Sequence, residues 1–173
     1  SCAVAWGGLK LNALVSFSKK NNLSGLEFLV GVPGTLGGAL MGNAGAWGKS
    51  LGELVSQVGV LDYNLKLKTF ANKQLKFAYR KSNLNKYIII WARLKIQTAQ
   101  KNLIVAKINQ YLLWRKQSQG NNLPNAGCIF KNPACGSAGK LIDSCGLKGK
   151  ARGQAVISKR HANFILNTGN AKS

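Results

Sequence analysis

A glycine-rich stretch between residues 31 and 48 constrains this chain more than any other feature. Glycine occupies positions 31, 34, 37, 38, 42, 45 and 48. Because glycine is costly to order, this density predicts a backbone that turns sharply or closely approaches a neighbour. Pro33-Gly34 is typical of a tight turn, and Thr35 is a suitable N-cap for a short helix ending at Met41. The stretch therefore predicts a turn that leads directly into a helix.

A turn at a helix start directs backbone N–H groups and the positive end of the helix dipole towards one point. Such a point suits an anion, above all phosphate. Two familiar phosphate-binding motifs are absent. No Lys-Ser/Thr pair follows the glycines, so the stretch is not a P-loop, and the spacing is not the Gly-x-Gly-x-x-Gly of a Rossmann fingerprint. Two interpretations stay open from the local chemistry: a phosphate-binding loop, or a glycine-rich surface loop that permits close helix packing.

The charge of the chain points to anionic partners. Its 173 residues include 25 Lys and Arg and four acidic residues, which gives a formal net charge of +21. Such a field attracts nucleic acid and phosphorylated ligands. The basic residues are scattered, however, with no run of five or more. Nucleic acid is therefore not the expected partner, and a non-catalytic basic module that binds nucleic acid or phosphorylated ligands is the alternative function.

Composition further narrows the class of protein that this chain can be. A hydrophobic content of 46% suits one domain or two small ones with a real core. No apolar run approaches the roughly 20 residues of a membrane span, and residues 1–6 do not resemble a signal peptide, so we expect no membrane association. For the cysteines, reduced thiols of a cytoplasmic protein are the default expectation. One histidine and four cysteines without a C-x-x-C pair predict no metal site. Glu27, in an apolar lead-in, is expected to be a satisfied structural carboxylate.

Hydrophobic periodicity predicts a mixture of helices and strands. A polar junction at residues 97–100 is the expected domain boundary, and loops are expected over 77–82 and 118–124. The predicted helices cover residues 9–20, 36–41, 102–116 and 138–145, and the predicted strands cover 55–61, 65–70, 87–96, 155–158 and 162–167.

Several segments, taken in order, resemble the UDP-N-acetylenolpyruvoylglucosamine reductase (MurB) family. The ordered set spans nearly the whole chain, which makes it far more specific than any single motif. The segments are Gly25-Leu26-Glu27-Phe28-Leu29, residues 31–39, Asn43-Ala44-Gly45-Ala46-Trp47-Gly48, Tyr79-Arg80-Lys81-Ser82, residues 126–133, residues 137–143, Gly146-Leu147-Lys148-Gly149 and His161-Ala162-Asn163-Phe164-Ile165.

The resemblance implies an α+β fold in two parts. Residues 1–97 would form the later half of a vanillyl-alcohol-oxidase (PCMH)-type FAD-binding domain, and residues 98–173 a truncated MurB-type C-terminal α/β substrate domain. The implied cofactors are FAD and NADPH, and the implied substrate is UDP-N-acetylenolpyruvoylglucosamine, reduced to UDP-N-acetylmuramate in peptidoglycan synthesis. A monomer is expected.

The resemblance also implies roles for individual residues. Arg80 matches the arginine that pairs with the substrate carboxylate, and Cys128 occupies the proton-donor position, which is serine in many members. Substrate contacts are implied for Tyr79, Lys131, Asn132 and His161, although Tyr79 could equally be an anchoring side chain and Lys131 a solvated one. The implied cofactor-binding residues are Gly31, Pro33, Gly34, Thr35, Gly37, Gly38, Asn43, Ala44 and Gly45.

The chain also departs from the family pattern. The family's first flavin-binding loop lies upstream of the position of Ser1, and its catalytic glutamate lies downstream of the last residue. Neither segment occurs in these 173 residues. We therefore expect this chain, taken alone, to be an inactive or weakly active fragment.

Overall fold

The computed structural model describes residues 1–119 and 123–172. The chain divides into two compact units, Ser1–Leu112 and Leu113–Ser173. The helices are α1 Leu11–Lys20, α2 Leu36–Met41, α3 Lys101–Gln119 and α4 Ala138–Ser144, with 3₁₀ turns at Glu27–Leu29, Leu51–Glu53 and Asn72–Gln74. The strands are β1 Cys2–Trp6, β2 Leu23–Ser24, β3 Gly45–Ala46, β4 Lys49–Ser50, β5 Val55–Leu61, β6 Leu67–Ala71, β7 Phe77–Ala78, β8 Lys81–Ser82, β9 Ile88–Lys95, β10 Gln97–Thr98, β11 Asn125–Cys128, β12 Ala151–Arg152, β13 Ala155–Ile157 and β14 Phe164–Asn167.

The first unit is built on a four-stranded antiparallel sheet in the order β1-β9-β5-β6. The strands predicted over 55–61 and 65–70 are confirmed as β5 and β6, which pair as a hairpin, and Asp62 accepts bonds from the N–H groups of Asn64 and Lys66 in the turn. The predicted strand over 87–96 is confirmed as β9. Alternation of apolar and polar residues over 65–70 and the density of β-forming residues over 87–96 predicted these strands, and both are properties of the sequence itself.

One face of this sheet packs against α1 and α2. Val58 and Val60 of β5 and Leu94 of β9 are fully buried, as are Leu11 of α1 and Leu36 of α2. The opposite face keeps large apolar side chains in solvent, since Trp6 and Val4 of β1 are 69% and 60% exposed. The helical stripe predicted over residues 9–20 is thus the surface that covers the sheet.

Glu27 is a structural carboxylate, as predicted. Its side chain is 3% exposed and accepts hydrogen bonds from the Ser24 hydroxyl at 2.6 Å and the Gly25 N–H at 2.8 Å. These bonds offset the loss of hydration that burial of a carboxylate entails. Glu27 therefore closes the turn that precedes the glycine-rich stretch.

The second unit carries a four-stranded sheet in the order β11-β14-β13-β12. The strands predicted over 155–158 and 162–167 are confirmed as β13 and β14, and the helix predicted to follow Ser137 is confirmed as α4. The Ser137 hydroxyl accepts a bond from the Lys140 N–H at 3.4 Å, and Gly146 ends the helix with a φ of 66°.

Two predicted loops differ from the structure. Residues 77–82 form the hairpin β7–β8, because a two-residue turn allows even very short strands to pair. In the predicted loop over 118–124, Ser118 and Gln119 continue α3, and residues 120–122 lie outside the described residues. Strands β11 and β12 were not predicted, because they are short and lack an apolar alternation.

Two further findings concern the described residues only. Within 1–119 and 123–172, no helix is both long and apolar enough to cross a membrane. Over the same ranges, no three side chains of His, Cys, Asp or Glu are grouped so that they could hold a metal ion.

Candidate functional site

The glycine-rich stretch forms a turn followed by α2, and Thr35 is its N-cap. The Thr35 hydroxyl oxygen accepts a bond from the Gly38 N–H at 3.4 Å, which confirms the predicted cap. The N–H groups of Leu36 and Gly37 donate to the carbonyl oxygens of Leu9 and Gly7 at 2.9 and 2.7 Å. The phosphate interpretation directs the N–H groups at this helix start towards an anion, but the β1–α1 loop already uses those of Leu36 and Gly37.

The turn before α2 keeps an open side. Gly34 is exposed with a φ of 108°, and a Cβ atom added there would meet nothing within 4 Å. Its carbonyl oxygen accepts from Leu11 N–H at 3.0 Å. Within the described part of the chain, the N–H groups of Gly34 and Thr35 have no hydrogen-bond partner. An anion at this stretch would thus meet the turn at Gly34 and Thr35, and not the helix end.

Gly7, which sequence reasoning missed, joins this turn to the sheet. Its N–H donates to Ile90 at 2.6 Å and its carbonyl oxygen accepts from Gly37. Lys10, three residues further on, is exposed and forms an isolated bridge with Thr35. The Gly7-Gly8 pair directly after the apolar residues 3–6 is the signal that could have drawn attention to this loop.

Asn43, Ala44 and Gly45 follow α2 and are held by the protein itself. The Ala44 N–H donates to Ala39 at 2.7 Å, and its carbonyl oxygen accepts from Leu51 N–H at 2.9 Å. Gly45 pairs with Ser50 in the β3–β4 hairpin. Asn43 is 7% exposed. That these residues contact a cofactor stays a prediction.

Tyr79 and Arg80 form the two-residue turn of the β7–β8 hairpin. Arg80 has a φ of 53°, and its guanidinium lies 5.4 Å from the centre of the Tyr79 ring. The Arg80 Nη1 atom donates to the Gly45 carbonyl oxygen at 3.4 Å. Both side chains are exposed. The structure therefore brings the predicted arginine beside the end of the glycine-rich stretch.

The second unit places Cys128 at the end of β11. All four cysteines lie in the described residues, are exposed, and form no disulfide. Two residues beyond Cys128, the backbone of Phe130 is held on both sides by the Asn163 side chain. Asn163 is 2% exposed, donates to the Phe130 carbonyl at 2.8 Å and accepts from its N–H at 2.9 Å. Sequence reasoning gave Asn163 no role, since its partner lies 33 residues away.

Asn132 and His161 both lie next to α4, whereas Lys131 is an exposed neighbour of Asn132. The Asn132 amide oxygen accepts a bond from the Ala138 N–H at 3.0 Å. The His161 ring packs on Phe164, with centroids 4.6 Å apart, and its Nδ1 atom is buried without a hydrogen-bond partner among the described residues. These residues and Cys128 belong to the second unit, whereas Arg80 belongs to the first.

His161 provides a pH-dependent prediction. Burial lowers the pKa of its imidazole below the usual 6.5, and the charge of Lys148 lowers it further. The folded protein then binds fewer protons than the unfolded chain, so the free energy of unfolding should fall as the pH drops through 6.5 towards the folded-state pKa.

Urea unfolding at about pH 7.5 and about pH 5.5 measures this change in stability, and NMR titration of the single imidazole gives its pKa directly. The His161→Gln variant should lose the histidine-dependent part of the pH dependence. A pKa at or above the usual value in the folded protein would contradict the prediction.

A separate cavity in the first unit has a volume of about 540 Å³. Its charged lining consists of Lys49, Lys95, Lys107 and Glu53. None of the predicted site residues lines it.

The fold and these side chains define an α+β protein with a glycine turn open to an anion in one unit, and with an exposed thiol and a half-buried histidine in the other. The sequence profile of the family described as UDP-N-acetylenolpyruvoylglucosamine reductase, C-terminal domain, matches residues 117–173. The reductase of Syntrophus aciditrophicus is 41% identical over 170 residues, which cover 98% of this chain and 54% of the relative. That of Caldanaerobacter subterraneus is 39% identical, covering 97% and 56%.

A solved structure of a reductase is also similar to this chain. The chain superposes on UDP-N-acetylenolpyruvylglucosamine reductase (MurB) from Thermus caldophilus with a TM-score of 0.89 and 37% identity, covering 98% of this chain and 63% of that one. The chain belongs to the UDP-N-acetylenolpyruvoylglucosamine reductase family, as the sequence motifs predicted. It spans about half the length of the curated relatives it matches.

Proposed function

We propose that this chain is part of a cytoplasmic, NADPH-dependent flavoenzyme that reduces UDP-N-acetylenolpyruvoylglucosamine to UDP-N-acetylmuramate in peptidoglycan synthesis. The observation that carries the proposal is the similarity to reductases over 98% of the chain. Residues 1–97 would then contribute the later half of a vanillyl-alcohol-oxidase-type FAD-binding domain. Residues 98–173 would contribute part of the substrate domain.

The turn at Pro33–Thr35 fits the diphosphate of FAD. Its backbone donors at Gly34 and Thr35 are available, and the absence of a side chain at Gly34 leaves room for close approach. Lys10, whose backbone forms a β-bridge with Thr35, is an exposed cationic residue next to this turn in the chain fold. When bound, FAD supplies hydride transfer from NADPH to the enolpyruvyl double bond.

Arg80 would bind the carboxylate of the enolpyruvyl group. Its planar guanidinium offers parallel N–H donors that match a carboxylate. Hydride addition to the double bond places negative charge on the carbon next to this carboxylate, and a fixed guanidinium stabilises charge that grows in the transition state. Tyr79, whose ring lies beside the Arg80 guanidinium, would limit the directions that this side chain can take.

Cys128 would donate the proton that completes the reduction. A thiol is a stronger acid than an alcohol, and the Cys128 Sγ atom would release its proton to the carbon that does not receive the hydride. Lys131, Asn132 and His161 would contact the uridine diphosphate part of the substrate. Because burial keeps His161 neutral, it would do so as a hydrogen-bonding group and not as a cation.

The four exposed cysteines allow a direct test of this proposal. Each can be alkylated with iodoacetamide and quantified by mass spectrometry in one sample, so three of them act as internal controls. With FAD present, UDP-N-acetylenolpyruvoylglucosamine should slow alkylation of Cys128 in proportion to its occupancy and leave Cys2 unchanged. Equal rates at Cys128 with and without saturating substrate would contradict the proposal.

The net charge of +21 favours a second candidate, a basic module that binds nucleic acid or phosphorylated ligands. Its binding to DNA would weaken steeply as salt is added, because counterions are released on association. Salt-sensitive DNA binding together with unprotected Cys128 and no flavin binding would favour this candidate over the reductase.

A further inference from the structure

The side chain of Asn43 joins the end of the glycine-rich stretch to the hairpin that carries Arg80. Its Nδ2 atom donates to the carbonyl oxygen of Ala78 at 3.0 Å, across 35 residues of sequence. Its Oδ1 atom accepts from the N–H of Gly52 at 2.9 Å. Because Asn43 is 7% exposed, water has little access to compete for these bonds. The amide therefore bonds the backbone of two other segments at once.

A second contact holds the opposite strand of the hairpin. The Ser82 hydroxyl donates to the Met41 carbonyl oxygen at 2.9 Å, and Ser82 is 4% exposed. Phe77, at the start of the hairpin, packs so closely on Gly52 that an added Cβ there would lie 2.5 Å from the ring. Both strands of β7–β8 are thus attached to residues 41–52.

The turn between these strands has an unusual backbone. Arg80 has a φ of 53° and Asn43 a φ of 42°, both in the left-handed region that disfavours residues with a Cβ. Such conformations persist where the surroundings over-determine them, and they are frequent at functional sites. Ala78, the acceptor of the Asn43 bond, lies two residues before Arg80.

We propose that Asn43 is a positioning residue that acts through Arg80. By holding Ala78, it fixes the turn from which the guanidinium projects, and so reduces the ordering that ligand binding requires. This inference rests on the proposed function in assigning the substrate carboxylate to Arg80. The bonds formed by Asn43 do not depend on that assignment, so the two can be tested separately.

Amide hydrogen exchange tests whether Asn43 holds the β7–β8 hairpin, and it needs neither cofactor nor substrate. In Asn43→Gly, which tolerates the positive φ but lacks the amide, the N–H groups of Ala78 and Lys81 should exchange about tenfold faster. In Asn43→Asp, the carboxylate keeps an acceptor for the Gly52 N–H but offers no donor to Ala78 at neutral pH. The same hairpin amides should therefore exchange faster, while the Gly52 N–H stays protected.

Asn163→Ala is the matched control, because it removes a buried asparagine that also makes two bonds to backbone, in the other unit. It should leave exchange at Ala78 and Lys81 unchanged. Wild-type exchange rates at these two amides in both Asn43 variants would overturn the proposal.

A double-mutant cycle tests whether Asn43 acts through Arg80. Binding of UDP-N-acetylenolpyruvoylglucosamine to the FAD-loaded protein is measured for Asn43→Gly, Arg80→Ala and the double variant. Asn43→Gly should weaken binding in the wild-type background and add nothing once Arg80 is gone. Additive losses would overturn the positioning role. If Arg80→Ala itself leaves affinity unchanged, the proposed function fails, while the exchange rates still decide whether Asn43 holds the hairpin.

Discussion

Gly7→Ala is expected to lower the free energy of unfolding by about 3 kcal/mol, because the added methyl group has no space. Its Cβ would lie against the carbonyl oxygen of Ile89, and 3.4 Å from that of Ile90. These are backbone atoms at the register shift between β9 and β5, so they cannot turn aside as the end of a side chain would. Either the β1–α1 loop or the central strand has to move.

The same substitution should also disturb the glycine turn. The Gly7 carbonyl oxygen accepts a hydrogen bond from the Gly37 N–H at the start of α2. Displacement of the β1–α1 loop would therefore move the turn at Gly34 as well. If the proposed function holds, FAD affinity should fall together with stability. A loss of about 3 kcal/mol is large when domains are typically stable by only about 5–15 kcal/mol.

Gly8→Ala is the matched control, since a Cβ at the neighbouring position would meet nothing within 4 Å. Chemical denaturation followed by tryptophan fluorescence measures both variants. Gly8→Ala should unfold within about 0.5 kcal/mol of the wild type, as for most surface substitutions. Similar denaturation midpoints for the two variants would contradict the prediction, because they would show that the fold accommodates a methyl group at position 7.

If the proposed function holds, Arg80→Ala in the complete reductase of which this chain would be a part is expected to lower the turnover of UDP-N-acetylenolpyruvoylglucosamine by about 100- to 1000-fold, the loss typical of removing one preorganised donor to a developing negative charge. Stability should change little, because the side chain is exposed and its contact to Gly45 is a long one at 3.4 Å. Steady-state kinetics with FAD and NADPH, together with the substrate dissociation constant, measure the effect.

Two variants separate charge from geometry at this position. Arg80→Lys keeps the positive charge and the backbone conformation but loses the planar pair of donors, so it should recover only a small part of the activity. Lys81→Ala removes an exposed cation from the next residue and should leave turnover near the wild-type value. Equal losses in Arg80→Ala and Lys81→Ala would indicate a general effect of charge and not a specific carboxylate contact.

Local rules predicted much of the secondary structure. Thr35 caps α2, Ser137 caps α4, and Val55–Leu61 forms a strand, because capping and alternation depend on residues within a few positions of one another. The buried carboxylate of Glu27 also followed from its apolar surroundings and adjacent turn residues. The short hairpin β7–β8 was missed for the opposite reason, since its stabilising contacts come from Met41 and Asn43 and not from its own six residues.

The candidate site was predicted less completely. The family motifs pointed to Arg80, Cys128 and the turn at Gly34. One of the two interpretations left open by the glycines directed the N–H groups at the start of α2 towards an anion. Those donors are used by the carbonyl oxygens of Gly7 and Leu9, a contact that forms only once the β1–α1 loop is folded against the stretch. No local pattern reports which of several candidate acceptors reaches a helix end.

The sequence by itself determined the class of the protein: its ordered motifs define the family, and the density of glycine between residues 31 and 48 defines where the backbone must approach something closely. Tertiary structure decided what that backbone approaches. Pairing of β1 with β9 brings Gly7 to Ile90, and the buried amide of Asn43 brings Ala78 to the end of the stretch. The reason is physical, because buried donors and acceptors must find partners, and in these cases the partners are distant in sequence.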